Sequence, residues 1–397
     1  MLGVEERFEA PARFSAALAQ LHELAAREAG AEDFGPPDYL IGLRVLLESM
    51  DYDPQFSPRG RNIAWGAVVT TLSSRAIAMR GIKDTPGQGG VAIDRPVIIT
   101  GLHRTGTTAL HQLLSLDPRF QGLQGWLAAA PMPRPPRSRW PENPHFRQAV
   151  KRLEARFAGA PGLRAAHDMA AGQVDECGGV LFHSFNSLVW SSAWSASSYE
   201  AWRLSQYPRA AYGYFRDVLR LIGSSEPDKR WLLKHPPHLA HLDLVFELFP
   251  DARVIQTHRD PGLAIPSLCS LVMASHDLME IGRKDQRARL MGLRETARAA
   301  KVLRDAEAVR RARADQVIDV RHADFHRDPM GTLETIYRFI GMELTDDVRP
   351  LLQERIDGKP ELQHGVHRYT IADYGMTEEE AREPFGDYIQ RFDLVQS

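Results

Sequence analysis

Cysteine is scarce: Cys177 and Cys269 are the only two among 397 residues. Two thiols cannot staple a disulfide scaffold, so the fold must rest on a packed core, and the composition suits a reducing compartment. An excess of either charge is also missing. Lysines and arginines number 49 against 51 acidic residues, a formal net charge of −2. No global basic field gathers nucleic acid or an anionic membrane, so any anion site has to be local. The start, MLGVEERFEA, lacks the basic-then-apolar pattern of a leader peptide. No apolar run approaches the roughly 18 residues that cross a bilayer. The expectation is a soluble, cytoplasmic chain with no integral membrane segment and no nucleic-acid partner.

What is present is enough apolar residue, 43%, for a sizeable core. The length suits one large α/β domain with an added helical region, or two domains. Residues 1–90 read as helices, with helical spacing in Phe14–Ala26 and Tyr39–Met50 and breaks at Gly30, Pro36 and Pro37. The Gly-rich stretch Pro86–Gly90 ends this region, and residues 91–397 form the second part. There Pro96–Thr100, Trp231–Lys234, Arg253–His258 and Gln316–Arg321 read as strands. Helical patterns follow them at Gly106–Ser115, Leu239–Phe249, Pro261–Met279 and Thr332–Ile340. Strands alternating with helices predict a parallel sheet flanked by helices. A long insertion, at about 120–228, separates the first two of these strands. Its proline-rich start, Pro131–Pro144, reads either as a lid or as a plain connection. Residues 182–215 hold ten aromatics where about three would match the chain average of 8%. Such rings belong mainly to a core, with some available to an apolar ligand. Arg287–Arg313 reads as one long helix with a solvated charged face.

The most informative segment is Gly101-Leu102-His103-Arg104-Thr105-Gly106-Thr107-Thr108, between a strand and a helix. Free backbone N–H groups and the helix dipole make such a junction an anion site. Gly101 and Gly106 permit tight turns, Thr107 and Thr108 offer hydroxyls, and Arg104 supplies a cation. The nucleotide-triphosphate loop G-x-x-x-x-G-K-[S/T] matches in its glycines, but Thr107 stands where that loop has its lysine. The segment therefore points to a phosphate loop while arguing against ATP or GTP hydrolysis. A second segment, Arg259-Asp260-Pro261 with Ser267 eight positions after Arg259, places an arginine at a strand end and a capping aspartate before a helix.

These two segments together resemble the sulfotransferases that use 3′-phosphoadenosine 5′-phosphosulfate (PAPS). Arg104-Thr105-Gly106-Thr107-Thr108 resembles their 5′-phosphosulfate loop, and Arg259 with Ser267 their 3′-phosphate site. Trp231-Leu232-Leu233-Lys234-His235-Pro236 resembles the family's strand ending in a lysine near the sulfuryl group. Asp328-Pro329 with Ile340-Gly341 resembles a later family segment. His364–Gly375 resembles the tail of a bacterial-type branch. The resemblance implies a P-loop NTPase-like sulfotransferase fold, PAPS as donor, adenosine 3′,5′-bisphosphate as product, and no metal. It implies donor contacts from Gly101, His103, Arg104, Thr105, Gly106, Thr107, Thr108, Arg259, Ser267, His322 and Arg368. His322 stands where the family's adenine-contacting tyrosine is common. Arg104 and Lys234 are expected at the reacting end.

The acceptor's proton needs a base. His235 beside Lys234, His238, and Glu176 in an acidic pair resembling that of the bacterial-type branch are the candidates. His235, His238 and His241 also admit a metal reading, which their spacing after two prolines disfavours. A small-molecule or lipid acceptor of apolar character and a homodimer are expected. A phosphotransferase on the same loop and a non-catalytic nucleotide-binding protein are the rival readings. Thr107 argues against the first, and the retained Arg104, Lys234, Arg259 and Ser267 against the second.

Overall fold

The computed structural model describes residues 7–159, 170–358 and 370–394. Three helices come first: α1 Leu18–Ala29, α2 Tyr39–Tyr52 and α3 Pro58–Asp84. α1 ends on Gly30 in the left-handed region (φ 59°). α3 starts with Pro58 after Ser57, whose hydroxyl accepts from the Gly60 N–H at 2.9 Å. α3 is buried on most sides from Ile63 to Ala78. It therefore lacks the single apolar stripe by which α1 and α2 are recognisable in the sequence.

These helices pack on the insertion. Phe185, Trp190, Trp194 and Tyr199 share one core with residues of α1, α2 and α3. Arg75 of α3, with no exposed surface, is the polar tie. It donates to Phe34 O (2.7 Å), Asp38 Oδ1 (2.9 Å) and His183 O (3.4 Å), and its guanidinium lies over Tyr39 and Tyr214. Of the ten insertion aromatics, Phe185, Trp190, Trp194, Tyr199, Tyr212, Tyr214 and Phe215 are buried. The excess is thus mainly core. The proline-rich start is held down too. Trp140 is buried against Trp126 and Phe146, and Arg134 donates to Gly122 O at 2.7 Å.

The sheet is β1 Val97–Gly101, β2 Phe120–Gly122, β3 Arg230–Lys234, β4 Arg253–His258 and β5 Val317–Arg321. Its order is β2-β3-β1-β4-β5, and every pairing is parallel. Four of these strands coincide with the expected ones. β2 escapes sequence reading because it has three residues and two of them, Gln121 and Gly122, carry no strand signal. The helix α4 Thr107–Leu114 leaves β1 toward β2, whereas the connection after β4 leads to β5. Adjacent strands β1 and β4 thus send their chains to opposite sides, which opens a crevice at their carboxyl ends.

Two helices after β4 complete the wall. Pro261–Met279 is 19 residues with mean hydropathy 1.3 in its most apolar window, long and apolar enough to cross a membrane. This differs from the expectation that no apolar run approaches that length. Ala264, Ile265, Cys269, Val272 and Met273 are buried inside the fold, as in a core helix. The long helix Lys284–Ala312 keeps a solvated charged face, with Arg289, Lys301, Arg304, Asp305 and Arg311 exposed, and adds an enclosed charged one that the sequence does not show. Glu295 is 3% exposed, and Arg298 donates to Glu295 (2.8 Å) and to Glu200 (2.8 Å). Arg294 pairs with Glu295 and Arg203 with Glu200, so the charges form one enclosed cluster.

Candidate active site

The phosphate loop lies in the crevice. A Cβ on Gly101 (φ 147°) would stand 2.6 Å from Thr257 O, so only glycine lets the end of β1 lie against β4. Thr105 Oγ1 donates to Leu102 O (2.7 Å) and lies 2.6 Å from Thr257 Oγ1. Its hydroxyl is thereby consumed inside the loop, leaving the Thr105 N–H to offer an anion. Gly106 (φ 90°) precedes α4, whose first N–H groups face the crevice. Thr107 is buried and Thr108 exposed.

The loop after β4 meets this one in space. Arg259 Nη1 donates to Arg104 O at 3.1 Å, and Arg104 Nε donates to Ser267 Oγ at 3.0 Å. Asp260 caps the helix Pro261–Met279 through the Gly262 N–H (2.8 Å) and is itself held by Arg382 (2.9 Å). Burial and then the neighbouring Arg104 push the Arg259 pKa down, against the pull of Asp260. Among the described residues neither Arg104 nor Arg259 has a carboxylate in ion-pair contact. Arg104 was expected at the reacting end with Lys234. Its left-handed backbone (φ 67°) instead sends the side chain to Ser267, on the Arg259 side. His322 adjoins the loop from β5, with Cδ2 3.2 Å from where a Gly106 Cβ would be. Arg368 lies outside the described residues, as does the His364–Tyr369 part of the tail.

At the other end, Lys234 closes β3. Its Nζ is 2.7 Å from Glu176 Oε1 and 3.3 Å from Thr108 Oγ1. The acidic segment is docked there by backbone contacts: Asp175 N to Leu123 O (2.6 Å) and Cys177 N to Lys234 O (3.0 Å). Glu176 Oε2 lies 3.2 Å from His235 Nδ1. Burial works against the Glu176 charge, but Lys234 and then the His235 hydrogen bond outweigh it and hold the carboxyl well below its usual range. His235 is itself anchored by its N–H on Ile99 O (3.1 Å). Behind it, His238 is 1% exposed, with Nδ1 on the Tyr212 hydroxyl (2.9 Å) and Nε2 buried without a partner among the described residues. Burial, then His235 and His241, keep His238 neutral. The three base candidates thus gather at one point, with Glu176 and His235 in contact and His238 enclosed behind them.

The described arrangement also brings in Thr257, which the sequence does not mark, and surroundings of Phe182 and His103 that it does not show. Thr257 holds the loop through a hydroxyl, and nothing in a strand pattern marks it. Phe182, half-buried, stands with His235 around Gly178: a Cβ there would meet their rings at 3.1 and 2.8 Å. His103 has its pKa lowered to about 4 by burial, with His235 and Arg298 reinforcing this and Glu176 and Glu295 opposing it. The buried cluster of the long helix and the Glu176–His235 pair therefore both act on this one imidazole. Neither influence is visible in a linear pattern.

Comparison with known proteins agrees with this geometry. The profile described as "Sulfotransferase family" matches residues 96–347, more than half of the chain. The ω-hydroxy-β-dihydromenaquinone-9 sulfotransferase Stf3 of Mycobacterium bovis is 24% identical over 322 residues, 76% of each chain. The crystal structure of sulfotransferase STF1 of Mycobacterium tuberculosis superposes with a TM-score of 0.84 at 34% identity, covering 94% of this chain and all of that one. STF9 of Mycobacterium avium shares the fold, with a TM-score of 0.86 at 23% identity and 98% of each chain covered. A phosphate loop without the NTPase lysine, on a sheet that superposes on these enzymes, leaves one conclusion: the chain belongs to the sulfotransferase family.

Proposed function

We propose that this chain transfers a sulfuryl group from PAPS to a hydroxyl of an apolar small-molecule or lipid acceptor. One observation carries the donor assignment. Two guanidiniums stand at the neighbouring turns before α4 and the helix Pro261–Met279, Arg259 bonded to the Arg104 carbonyl and Arg104 to Ser267, with no carboxylate in ion-pair contact among the described residues. Such an arrangement is matched by a ligand bringing several phosphate charges. Arg259 and Ser267 suit a 3′-phosphate, and the N–H groups of Gly106–Thr108 suit the 5′-phosphate.

Lys234 stands between that loop and the Glu176–His235 pair, which suits the reacting end. In the transfer the acceptor oxygen forms a bond to sulfur while the bond from sulfur to the bridging oxygen breaks, and charge spreads over the oxygens in flight. Lys234 stabilises the charge that builds on the departing phosphate. His235 Nδ1–H donates to Glu176, which fixes the tautomer and leaves Nε2 to take the acceptor's proton. A carboxylate held well below its usual pKa range is a poor base, so Glu176 orients and His235 accepts. The products are a sulfate ester, adenosine 3′,5′-bisphosphate and a proton on His235. The apolar acceptor rests on Phe182 beside His235 and on the relative Stf3, named for a menaquinone-derived lipid.

Calorimetry with two nucleotides tests the donor assignment. Adenosine 3′,5′-bisphosphate should bind one to two decades more tightly than adenosine 5′-monophosphate, from roughly 1.5–3 kcal/mol of charge-assisted contacts to the 3′-phosphate. Equal affinities would sink the assignment. Labelled sulfate transferred only to sugars, and not to long-chain alcohols, would remove the apolar acceptor.

A further inference from the structure

Arg259 stands between two residues that the far end of the chain holds. His258, before it, closes β4 in the core. Its Nε2 lies 2.8 Å from Asp319 Oδ1 and its Nδ1 3.0 Å from the Tyr388 hydroxyl, and its ring stacks on Phe392 with centroids 3.9 Å apart. Asp260, after it, is 3% exposed. Its Oδ1 accepts from the Gly262 N–H at 2.8 Å, and its Oδ2 from Arg382 Nη2 at 2.9 Å, with Arg382 Nε 3.2 Å from Oδ1. Arg382 ends the short helix Glu378–Arg382, where its Nη1 donates to Glu378 at 2.8 Å. A Cβ at Gly262 would stand 2.6 Å from Arg382 Nε, so the missing side chain leaves the guanidinium its place over the helix cap.

An arginine directly followed by an acid can pair with it in this fold. Arg216 meets Asp217 at 3.2 Å, and Arg294 meets Glu295 at 2.9 Å. Arg259 and Asp260 stand in the same order, yet Arg259 donates to the Arg104 carbonyl and has no ion pair among the described residues. Arg382 accounts for the difference. Its two-point contact satisfies the carboxylate and cancels its charge. Without it, the buried Asp260 would keep a backbone N–H and the helix dipole, and the adjoining cation is Arg259. A carboxylate paired with Arg259 would compete with an incoming phosphate for the same N–H groups.

We propose that Arg382 is a positioning residue of the donor site: it occupies the Asp260 carboxylate, so that Arg259 keeps its charge for the nucleotide's 3′-phosphate. Arg382 thereby sets how strongly the site prefers a nucleotide with a 3′-phosphate to one without, and it does so through Asp260 rather than by touching the ligand. The inference rests on the assignment of Arg259 to the 3′-phosphate and adds the group that keeps Arg259 open.

Titration calorimetry of the full chain with adenosine 3′,5′-bisphosphate and with adenosine 5′-monophosphate tests it. Arg382→Ala should narrow the preference for the bisphosphate roughly five- to tenfold, the effect of one competing ion pair, and leave the monophosphate affinity nearly unchanged. Arg382→Lys should keep most of the preference. The double variant Asp260→Asn with Arg382→Ala should regain it, because no carboxylate is left to compete. In steady-state kinetics Arg382→Ala should raise donor KM by the same factor and leave kcat within a few-fold. Arg382→Gln still reaches Asp260 with a neutral donor, and it carries the test, with a smaller narrowing, if Arg382→Ala unfolds. An unchanged preference, an equal loss for both nucleotides, or a narrowing that Asp260→Asn does not reverse overturns the inference and leaves the donor assignment standing. A wild type that binds both nucleotides equally overturns the assignment of Arg259, and the inference with it.

Discussion

The crevice and the enclosed cluster beside it handle charge in opposite ways. At the crevice, Arg104 and Arg259 lie side by side, and their hydrogen bonds go to a carbonyl and a hydroxyl. In the cluster, Arg298, Arg294 and Arg203 each meet a carboxylate of Glu295 or Glu200, and Ser191 Oγ donates to Glu200 at 2.6 Å. Cations that meet only neutral oxygens invite an outside anion. Cations paired inside the fold fix its shape, because breaking such a pair strands a buried charge. Lys234 lies between the two regimes, paired with Glu176 yet within reach of Thr108.

The largest effect should come from that intermediate cation. Lys234→Met should lower kcat about 10²–10³-fold with little change in donor KM, since its contact strengthens only as charge builds on the leaving group. Steady-state kinetics with varied PAPS read this directly. A change confined to KM would place Lys234 with the donor-holding cations instead.

Next is the cluster. Burial works against the Glu200 charge, but Arg203, Arg298 and Ser191 outweigh it and bring its pKa to about 2. The unfolded value is near 4.3, so the folded state is favoured above that pH and the advantage is lost as pH falls toward about 2. Glu200→Gln should therefore cost on the order of 3 kcal/mol in urea unfolding at neutral pH, and the gap should close between about pH 4.5 and pH 2. A gap independent of pH would show that the carboxylate charge is not what the cluster uses.

Smaller is the effect at the far phosphate. Arg259→Ala should raise donor KM by roughly one to two decades and leave kcat within a few-fold, because the 3′-phosphate carries the same charge before and after transfer. A variant impaired in kcat alone would erase the distinction between the two ends of the donor.

The two signature segments were legible because each is local. A phosphate loop is made of consecutive backbone N–H groups, and Ser267 follows Arg259 by eight residues on one helix. Lys234, Glu176 and His235 were each legible as candidates, but their contact was not. Glu176 lies 58 residues from Lys234 in the chain and reaches it because Val174, two residues before it, bridges to Gln124 just past the end of β2. The direction of Arg104 was not legible for a similar reason. Residue type gave the charge, whereas the left-handed backbone and the place of Ser267 decided where it points.

The amino-acid order by itself determined the alternation of strands and helices, the loop glycines and the arginine at each anion turn. Those follow from side-chain period and from contacts between near neighbours, which act before any fold exists. The tertiary structure alone decided which charges stay open and which are consumed. Glu200 and Arg298 are 98 residues apart, and whether a guanidinium meets a carboxylate or waits for a phosphate depends on packing that brings distant helices to one wall.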